Sequence, residues 1–564
     1  MLTQLYTIHG EQLTGTPWDV YPRPQMRRDS YFNLNGMWEL KVEDECYQIQ
    51  VPFCPESVLS NVNRHFNEGT TLIYRRHFQL PKDFNQGKVL LHIGAADQIC
   101  EVYLNQKYIG KHIGGYTAFH FDISDALKED NLLEIHCIDD LNDHSMPYGK
   151  QTLTRGGMWY TPVSGIWQSV WLESVPNEYV ESIKIENRGT SVHLSIQPSL
   201  DGIVKIDALG EYSLKDGKVI IQPDNPHLWS PEDPYLYHFQ IITKEDTIQS
   251  YFAIRTIETK TFNGIPRLCL NGKPYFFHGV LDQGYVPDGI YTPASPQCYA
   301  EDIIAMKKLG FNTLRKHIKV ETEEFYYQCD KLGMIVFQDM VNNGDYNFLR
   351  DTAIPTIRIQ KRNDKKMHTD PKTRECFIQT MKETIHQLYN HPCIVYWTIF
   401  NEGWGQFNSD ELYHQARSLD DTRIIDTTSG WFRRNETDVE SLHIYFGPWN
   451  QIHPYQKPLV LSEFGGYTYP VEGHLFNPDH AYGYKACKSQ EEFQSQMIHL
   501  YQTKILASIE KGLCGAICTQ ISDVEDEING FLTYDRKVCK ANADAMSVLS
   551  NQLQAQLKKC CEPK

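Results

Sequence analysis

From about residue 30 to residue 177 apolar and polar positions alternate in short runs broken by turn residues. Examples are Gly36-Met-Trp-Glu-Leu-Lys41, Leu72-Ile-Tyr-Arg-Arg-His-Phe78, Val89-Leu-Leu-His-Ile93 and Val102-Tyr-Leu-Asn105. Strand after strand with no helical repeat predicts a β-sandwich over residues 1–177. The period of two continues from Tyr179 to Thr259, where Val192, Leu194 and Ile196 alternate with polar neighbours. Residues 178–260 are therefore expected to form a second, smaller sandwich of immunoglobulin-like size.

Beyond residue 260 the rhythm changes to strand, helix, strand, the pattern of an α/β unit. The first helix is marked by Ser295 as cap, Pro296 at the first helical position, Tyr299, Ile303 and Met306 at helical spacing, and Gly310 after the last turn. Apolar runs without polar alternation suit strands covered on both faces, as in a parallel barrel. Eight are expected: Tyr275–Val280, Asn312–Lys316, Met334–Asp339, Ile394–Asn401, Ile424–Thr428, Ser441–Tyr445, Leu459–Glu463 and Ala516–Ile521. Residues 261–564 thus predict a (β/α)8 TIM barrel. Lys361–Lys372, charged and proline-bearing, is expected to be a mobile loop on the catalytic side.

Two of these runs end alike. Ile394-Val-Tyr-Trp-Thr-Ile-Phe-Asn-Glu402 and Pro458-Leu-Val-Leu-Ser-Glu463 each carry an apolar strand into a glutamate. A glutamate after a strand ordinarily caps a turn or meets a basic neighbour, but two in the same context at one barrel rim suggest a catalytic pair. Facing carboxylates are what glycosidic bond cleavage requires, one to protonate the leaving oxygen and one to attack the anomeric carbon.

Composition narrows the alternatives. A chain of 564 residues exceeds a single core, and no stretch approaches the roughly 18 apolar residues of a membrane helix. The start shows no secretory leader, and fifteen scattered cysteines suit free thiols rather than a disulfide framework, so a cytoplasmic setting is expected. A net charge of −17 disfavours nucleic acid as a partner. No dinucleotide fingerprint, phosphate loop, zinc motif or serine-hydrolase elbow occurs in a suitable context.

Trp397-Thr-Ile-Phe-Asn-Glu402 and Leu461-Ser-Glu-Phe-Gly-Gly466 resemble the acid/base and nucleophile motifs of glycoside hydrolase family 2, the β-galactosidase and β-glucuronidase family. Pro22-Arg-Pro-Gln-Met-Arg-Arg-Asp29, Asn33-Leu-Asn-Gly-Met-Trp38, Gly114-Gly-Tyr-Thr-Ala-Phe119 and Ser164-Gly-Ile-Trp-Gln-Ser-Val-Trp171 extend the resemblance to that family's sugar-binding-type jelly roll. It implies Glu402 as acid/base, Glu463 as nucleophile, Tyr445 as a hydrogen-bond donor to the nucleophile and Asn401 as the ligand of the sugar 2-hydroxyl. Arg315, at the end of the second strand, is the candidate to keep Glu463 ionised. His317, Asp339, His443, Asp282 and Gln283 are further rim candidates, and Trp404 and Trp431 are candidate platforms for a pyranose. No metal ligand is assigned and no cofactor is expected, although some relatives bind magnesium or sodium.

Departures from the family bear on the sugar. Leu281-Asp-Gln283 stands where the best-known members carry a basic residue followed by His-Glu, and Thr519-Gln-Ile-Ser-Asp523 lacks their tryptophan. Glu527-Ile-Asn529 lacks the Asn-x-Lys with which glucuronidases hold a carboxylate. The expectation is an exo-acting retaining β-glycosidase for terminal neutral sugars, with β-galactosides leading. β-Glucuronide, β-mannoside and α-L-arabinopyranoside activity, transglycosylation and a non-catalytic sugar-binding role are the alternatives. The broad sandwich surfaces leave room for a homo-oligomer.

Overall fold

The computed structural model describes residues 2–356, 363–446 and 449–563. Alternation builds its first third: in Gly36–Val42 the residues Gly36, Trp38, Leu40 and Val42 are buried, and in Asn131–Ile138 so are Asn131, Leu133, Ile135 and Cys137. Six antiparallel strands, in the order Glu45–Val51, Gly36–Val42, Thr71–Phe78, Asn131–Ile138, Ile99–Leu104 and Lys107–Ile113, form one sheet. Tyr31–Asn33, Val170–Val175, Lys88–Ile93 and Phe119–Asp122 form the other. Trp38, Tyr74, Leu91, Ile135 and Leu172 fill the space between the two faces, giving a jelly-roll-like core.

A three-stranded and a four-stranded antiparallel sheet follow between Ser182 and Phe252. Val192, Leu194 and Ile196 point inward and share a core with Ile241, Ile248 and Phe252. Arg28 ties this sandwich to the first. Its guanidinium donates to Asp246 Oδ2 at 2.7 Å, to the Val180 carbonyl at 2.7 Å and to Glu173 Oε2 at 3.3 Å.

The last half is a ring of parallel strands: β1 Phe277–Asp282, β2 Thr313–Lys316, β3 Ile335–Asp339, β4 Ile394–Asn401, β5 Ile424–Ser429, β6 Glu440–Ile444, β7 Leu459–Gly465 and β8 Leu513–Thr519. The order β5-β4-β3-β2-β1-β8-β7-β6 runs sequentially around the barrel, and the ladder is interrupted between β5 and β6. Every residue of β1 to β5, β7 and β8 is buried, which is why their sequences show no alternation.

β4 has the expected bounds, and the other strands differ from expectation by at most three residues at an end. The largest shift is in β8, which begins at Leu513 because Leu513-Cys-Gly already belongs to the buried run. Pro296 sits at the N-cap of helix α1, Gln297–Lys308, rather than inside its first turn. Of the expected mobile loop, Lys361 and Arg362 lie outside the described residues. Asp364 is buried and accepts hydrogen bonds from Ser409 and Gln406, so this part is pinned to the barrel. Pro371 and Lys372 open helix α2, Pro371–Leu388, which Asp370 caps through the Thr373 amide. No disulfide forms, and among the described residues no helix is long and apolar enough to cross a membrane.

Arg28→Ala would leave the buried carboxylates of Asp246 and Glu173 short of a partner. A loss of about 3–5 kcal/mol is expected, read as a lower denaturant midpoint for the first unfolding transition.

Candidate active site

Parallel strands bring their carboxyl ends to one rim, and the residues there decide the chemistry. Arg315 at the end of β2 is 1% exposed and organises that rim. Its Nε donates to Asp339 Oδ1 at 3.0 Å, on β3, and its Nη2 to Asn401 Oδ1 at 2.8 Å, on β4. Its Nη1 donates to Glu463 Oε1 at 2.9 Å and to the Ser462 carbonyl at 3.1 Å, both on β7. The second oxygen of Glu463 accepts from Tyr445 Oη at 2.7 Å, and Tyr445 also meets Thr519 Oγ1 at 2.7 Å.

Burial by itself would raise the Glu463 carboxyl. Its interactions with His443 and Arg315, together with the Tyr445 hydrogen bond, outweigh burial and hold Glu463 well below the usual carboxylate range. Glu402 goes the other way. Burial and the negative charge of Glu463 raise it, against a hydrogen bond with His443 that opposes them.

Glu402 follows β4 directly, with φ +52°, a left-handed conformation that turns its side chain out of the strand direction. Its amide donates to the Ser429 carbonyl at 2.9 Å, so β5 fixes that turn. His443, at the end of β6, places Nδ1 2.7 Å from Glu402 Oε1 and Nε2 3.1 Å from Ser429 Oγ and 3.5 Å from Glu463 Oε1. The imidazole thus bridges the two glutamates. Ser429 Oγ also reaches Ser462 Oγ at 2.9 Å, a polar seam where the β5–β6 ladder is missing.

Glu402, His443 and Glu463 each bring one ligand-type atom within 4.8 Å of the others, and among the described residues no other group of three His, Cys, Asp or Glu side chains does so. Arg315 already holds Glu463, so its guanidinium opposes a metal there. The donor set fits a carboxylate pair bridged by an imidazole better than a resident ion.

The remaining predicted residues separate into two groups. His317 Nδ1 lies 2.7 Å from Asp339 Oδ2, and burial pushes its imidazole down to about 4, so it is neutral at pH 7. Asp339 is held low by Arg315 and His317 against its own burial. Asn401 Nδ2 finds no partner among the described residues. Trp431 packs its ring 6.3 Å from that of His443. Trp404 is covered by Trp159, stacked at 5.3 Å, and by the Lys150 ammonium at 4.7 Å from the ring centre. It offers an indole N–H without a partner among the described residues, rather than a ring face. Asp282 stands apart, bound by Lys316 Nζ at 2.6 Å in a buried network with Glu321, and Gln283 is buried beside it.

Residues absent from the sequence-based set come from the jelly roll and from the chain after β8. Tyr148 and Gly149 amides donate to the Asn342 carbonyl at 3.1 and 3.4 Å, Tyr160 Oη donates to Glu527, and Thr161 N donates to Glu525 Oε1 at 2.9 Å. These contacts carry Lys150 into the barrel mouth. Nothing in the spacing around Lys150 marks it, since its role depends on a contact across the fold.

The family model for the glycosyl hydrolases family 2 TIM barrel domain matches residues 265–543. The galactose-binding domain-like model of the same family matches residues 54–151, and the model described as glycosyl hydrolases family 2 matches residues 177–255. The β-galactosidase of Thermoanaerobacter pseudethanolicus is 24% identical over 438 residues, 71% of this chain and 54% of that protein. The β-glucuronidase of Felis catus is 22% identical over 600 residues, 89% of this chain and 86% of that protein. The chain spans about half the length of several curated relatives it matches, 54%, 51% and 49% for three of them. The solved structure of the β-D-glucuronidase of Dictyoglomus thermophilum superposes with a TM-score of 0.73 at 20% identity, covering 94% of this chain and 98% of that one. With three family models matched in order along the chain, the protein belongs to glycoside hydrolase family 2.

Proposed function

We propose that this protein is an exo-acting retaining β-glycosidase that removes terminal neutral sugars, β-galactosides foremost, by double displacement. The observation that carries the reading is the Glu402–Glu463 pair, close enough for oxygens within 4.8 Å and pushed in opposite directions by its surroundings. A retaining enzyme needs its carboxyl groups roughly 5 to 5.5 Å apart, whereas an inverting enzyme needs about 6.5–9.5 Å to admit water between them. In this mechanism Glu463 attacks the anomeric carbon while Glu402 protonates the departing oxygen. Glu402 then removes a proton from the incoming water, which releases the sugar.

Asn401 Nδ2 is oriented to take the 2-hydroxyl, because Arg315 fixes its other amide atom. The jelly-roll loop bonded across the barrel mouth suits a pocket for a chain end more than an open cleft. A reducing, cytoplasmic setting is part of the proposal, supported by fifteen cysteines among which no disulfide forms. The names of several relatives favour a second reading, a β-glucuronide. Against it, Glu527-Ile-Asn529 puts a buried carboxylate and an amide where a lysine would meet the sugar acid.

Glu463→Gln is expected to lower kcat by at least about 10⁴-fold on every substrate while keeping the fold. Initial rates on aryl β-galactoside, β-glucuronide, β-glucoside, β-mannoside and α-L-arabinopyranoside beside that variant test both the mechanism and the sugar. A preferred uronide would reverse the order of the two readings.

Glu402→Gln is expected to cost about 10²- to 10⁴-fold on poor leaving groups and far less on activated aryl glycosides. Equal losses on both substrate types would reassign the acid.

Activity requires Glu463 ionised and Glu402 protonated. Because Glu463 is lowered and Glu402 raised, kcat/KM should rise with pH at a point below the usual carboxylate range and fall as Glu402 ionises above it. A pH profile in which Glu402→Gln retains the alkaline fall would contradict that assignment.

A further inference from the structure

Among the described residues four lysines are buried, and three of them are paired. Lys316 donates to Asp282 at 2.6 Å, Lys319 to Glu321 at 2.8 Å and Lys540 to Asp523 at 2.6 Å. Lys150 is 5% exposed and, among the described residues, its ammonium meets no hydrogen-bonding partner. An ammonium on a largely enclosed side chain, with no acceptor among the described residues, is open to one supplied by a ligand.

Its position is built rather than incidental. Gly149 holds φ +65°, and a Cβ there would lie 3.0 Å from the Ile318 carbonyl, so the chain runs against the barrel at that point. The Lys150 carbonyl accepts from the Tyr160 amide at 3.0 Å, and its Nζ rests 4.7 Å from the centre of the Trp404 ring. Burial pushes the Lys150 ammonium below the usual lysine range, and three carboxylates oppose it, Glu527 most strongly, then Glu463 and Glu402. Two buried donors in this region, Asn401 Nδ2 and Trp404 Nε1, find no partner among the described residues.

Resting on the glycosidase reading above, we infer that Lys150 and Glu527 form the specificity-determining pair that recognises ring hydroxyls of the terminal neutral sugar other than the one at C2. The ammonium donates to a hydroxyl oxygen, and the carboxylate accepts a hydroxyl proton. Glu527 is held for this by Tyr160 Oη and by Asn529 Nδ2 at 2.9 Å. A neutral diol suits such a pair. Glu463 and Asp339 already draw on the Arg315 guanidinium, and a uronate would bring a further negative charge beside them. The jelly roll thereby supplies part of the sugar site rather than only a support for the barrel.

Lys150→Met keeps the aliphatic stem on Trp404 and removes the donor. On the preferred aryl glycoside its kcat/KM should fall about 10- to 100-fold, the range of a hydrogen bond to a charged group. On the 3-, 4- and 6-deoxy analogues, wild type should lose by a similar factor at one position, and Lys150→Met should show no further loss there. Glu527→Gln should weaken discrimination at the same or the adjacent hydroxyl. Labelling of each variant at Glu463 by a 2-fluoro glycoside confirms a folded site. An unchanged deoxy penalty in a labelled Lys150→Met, an equal loss on all analogues, or a wild-type preference for uronide that Lys150→Met abolishes would each overturn the assignment. Failure of wild type both to turn over any glycoside and to be labelled would instead overturn the glycosidase reading, and the assignment with it.

Discussion

The rim of this barrel depends on one buried guanidinium. A charge as deeply enclosed as Arg315 is tolerable only if its donors are matched in good geometry, and the matching groups come from β3, β4 and β7. The same bonds that make the cation tolerable therefore set the distances between Asp339, Asn401 and Glu463. They also keep Glu463 ionised in a place where burial alone would neutralise it. Packing and electrostatics are inseparable here, since removing the charge would loosen three strand ends together.

Opposite behaviour in two neighbouring glutamates follows from what surrounds each. Glu463 faces Arg315, His443 and the Tyr445 hydroxyl, while Glu402 faces a buried wall and the negative charge of its partner. His443 couples them. It occupies the seam where β5 and β6 do not pair, and the serines there supply hydrogen bonds that a backbone ladder would otherwise provide.

The smaller sandwich contributes through contact, and the jelly roll through contact and through the lysine it carries to the barrel mouth. Arg28 clamps one to the other, and the loop between Tyr148 and Thr161 brings the jelly roll against the barrel through backbone bonds to Asn342 and side-chain bonds to Glu525 and Glu527. That docking is what brings a lysine from the first third of the chain into the field of glutamates from the last third.

The sequence by itself determined the succession of sandwich, smaller sandwich and barrel, because strands half-exposed to solvent alternate and strands buried on both faces do not. It also marked Glu402 and Glu463, since a carboxylate ending an apolar run is conspicuous, and it marked Arg315 at the end of its own strand. What depended on folding was less visible. Asp282 occupies a strand end like the others, yet Lys316 draws it into a separate ion network, and Trp404 loses its ring faces to Trp159 and Lys150. Lys150 and Glu527 stand in unremarkable local contexts hundreds of residues apart. Only the tertiary structure could decide their roles, because a side chain's charge state and partners come from what is packed around it, and local periodicity carries no information about that.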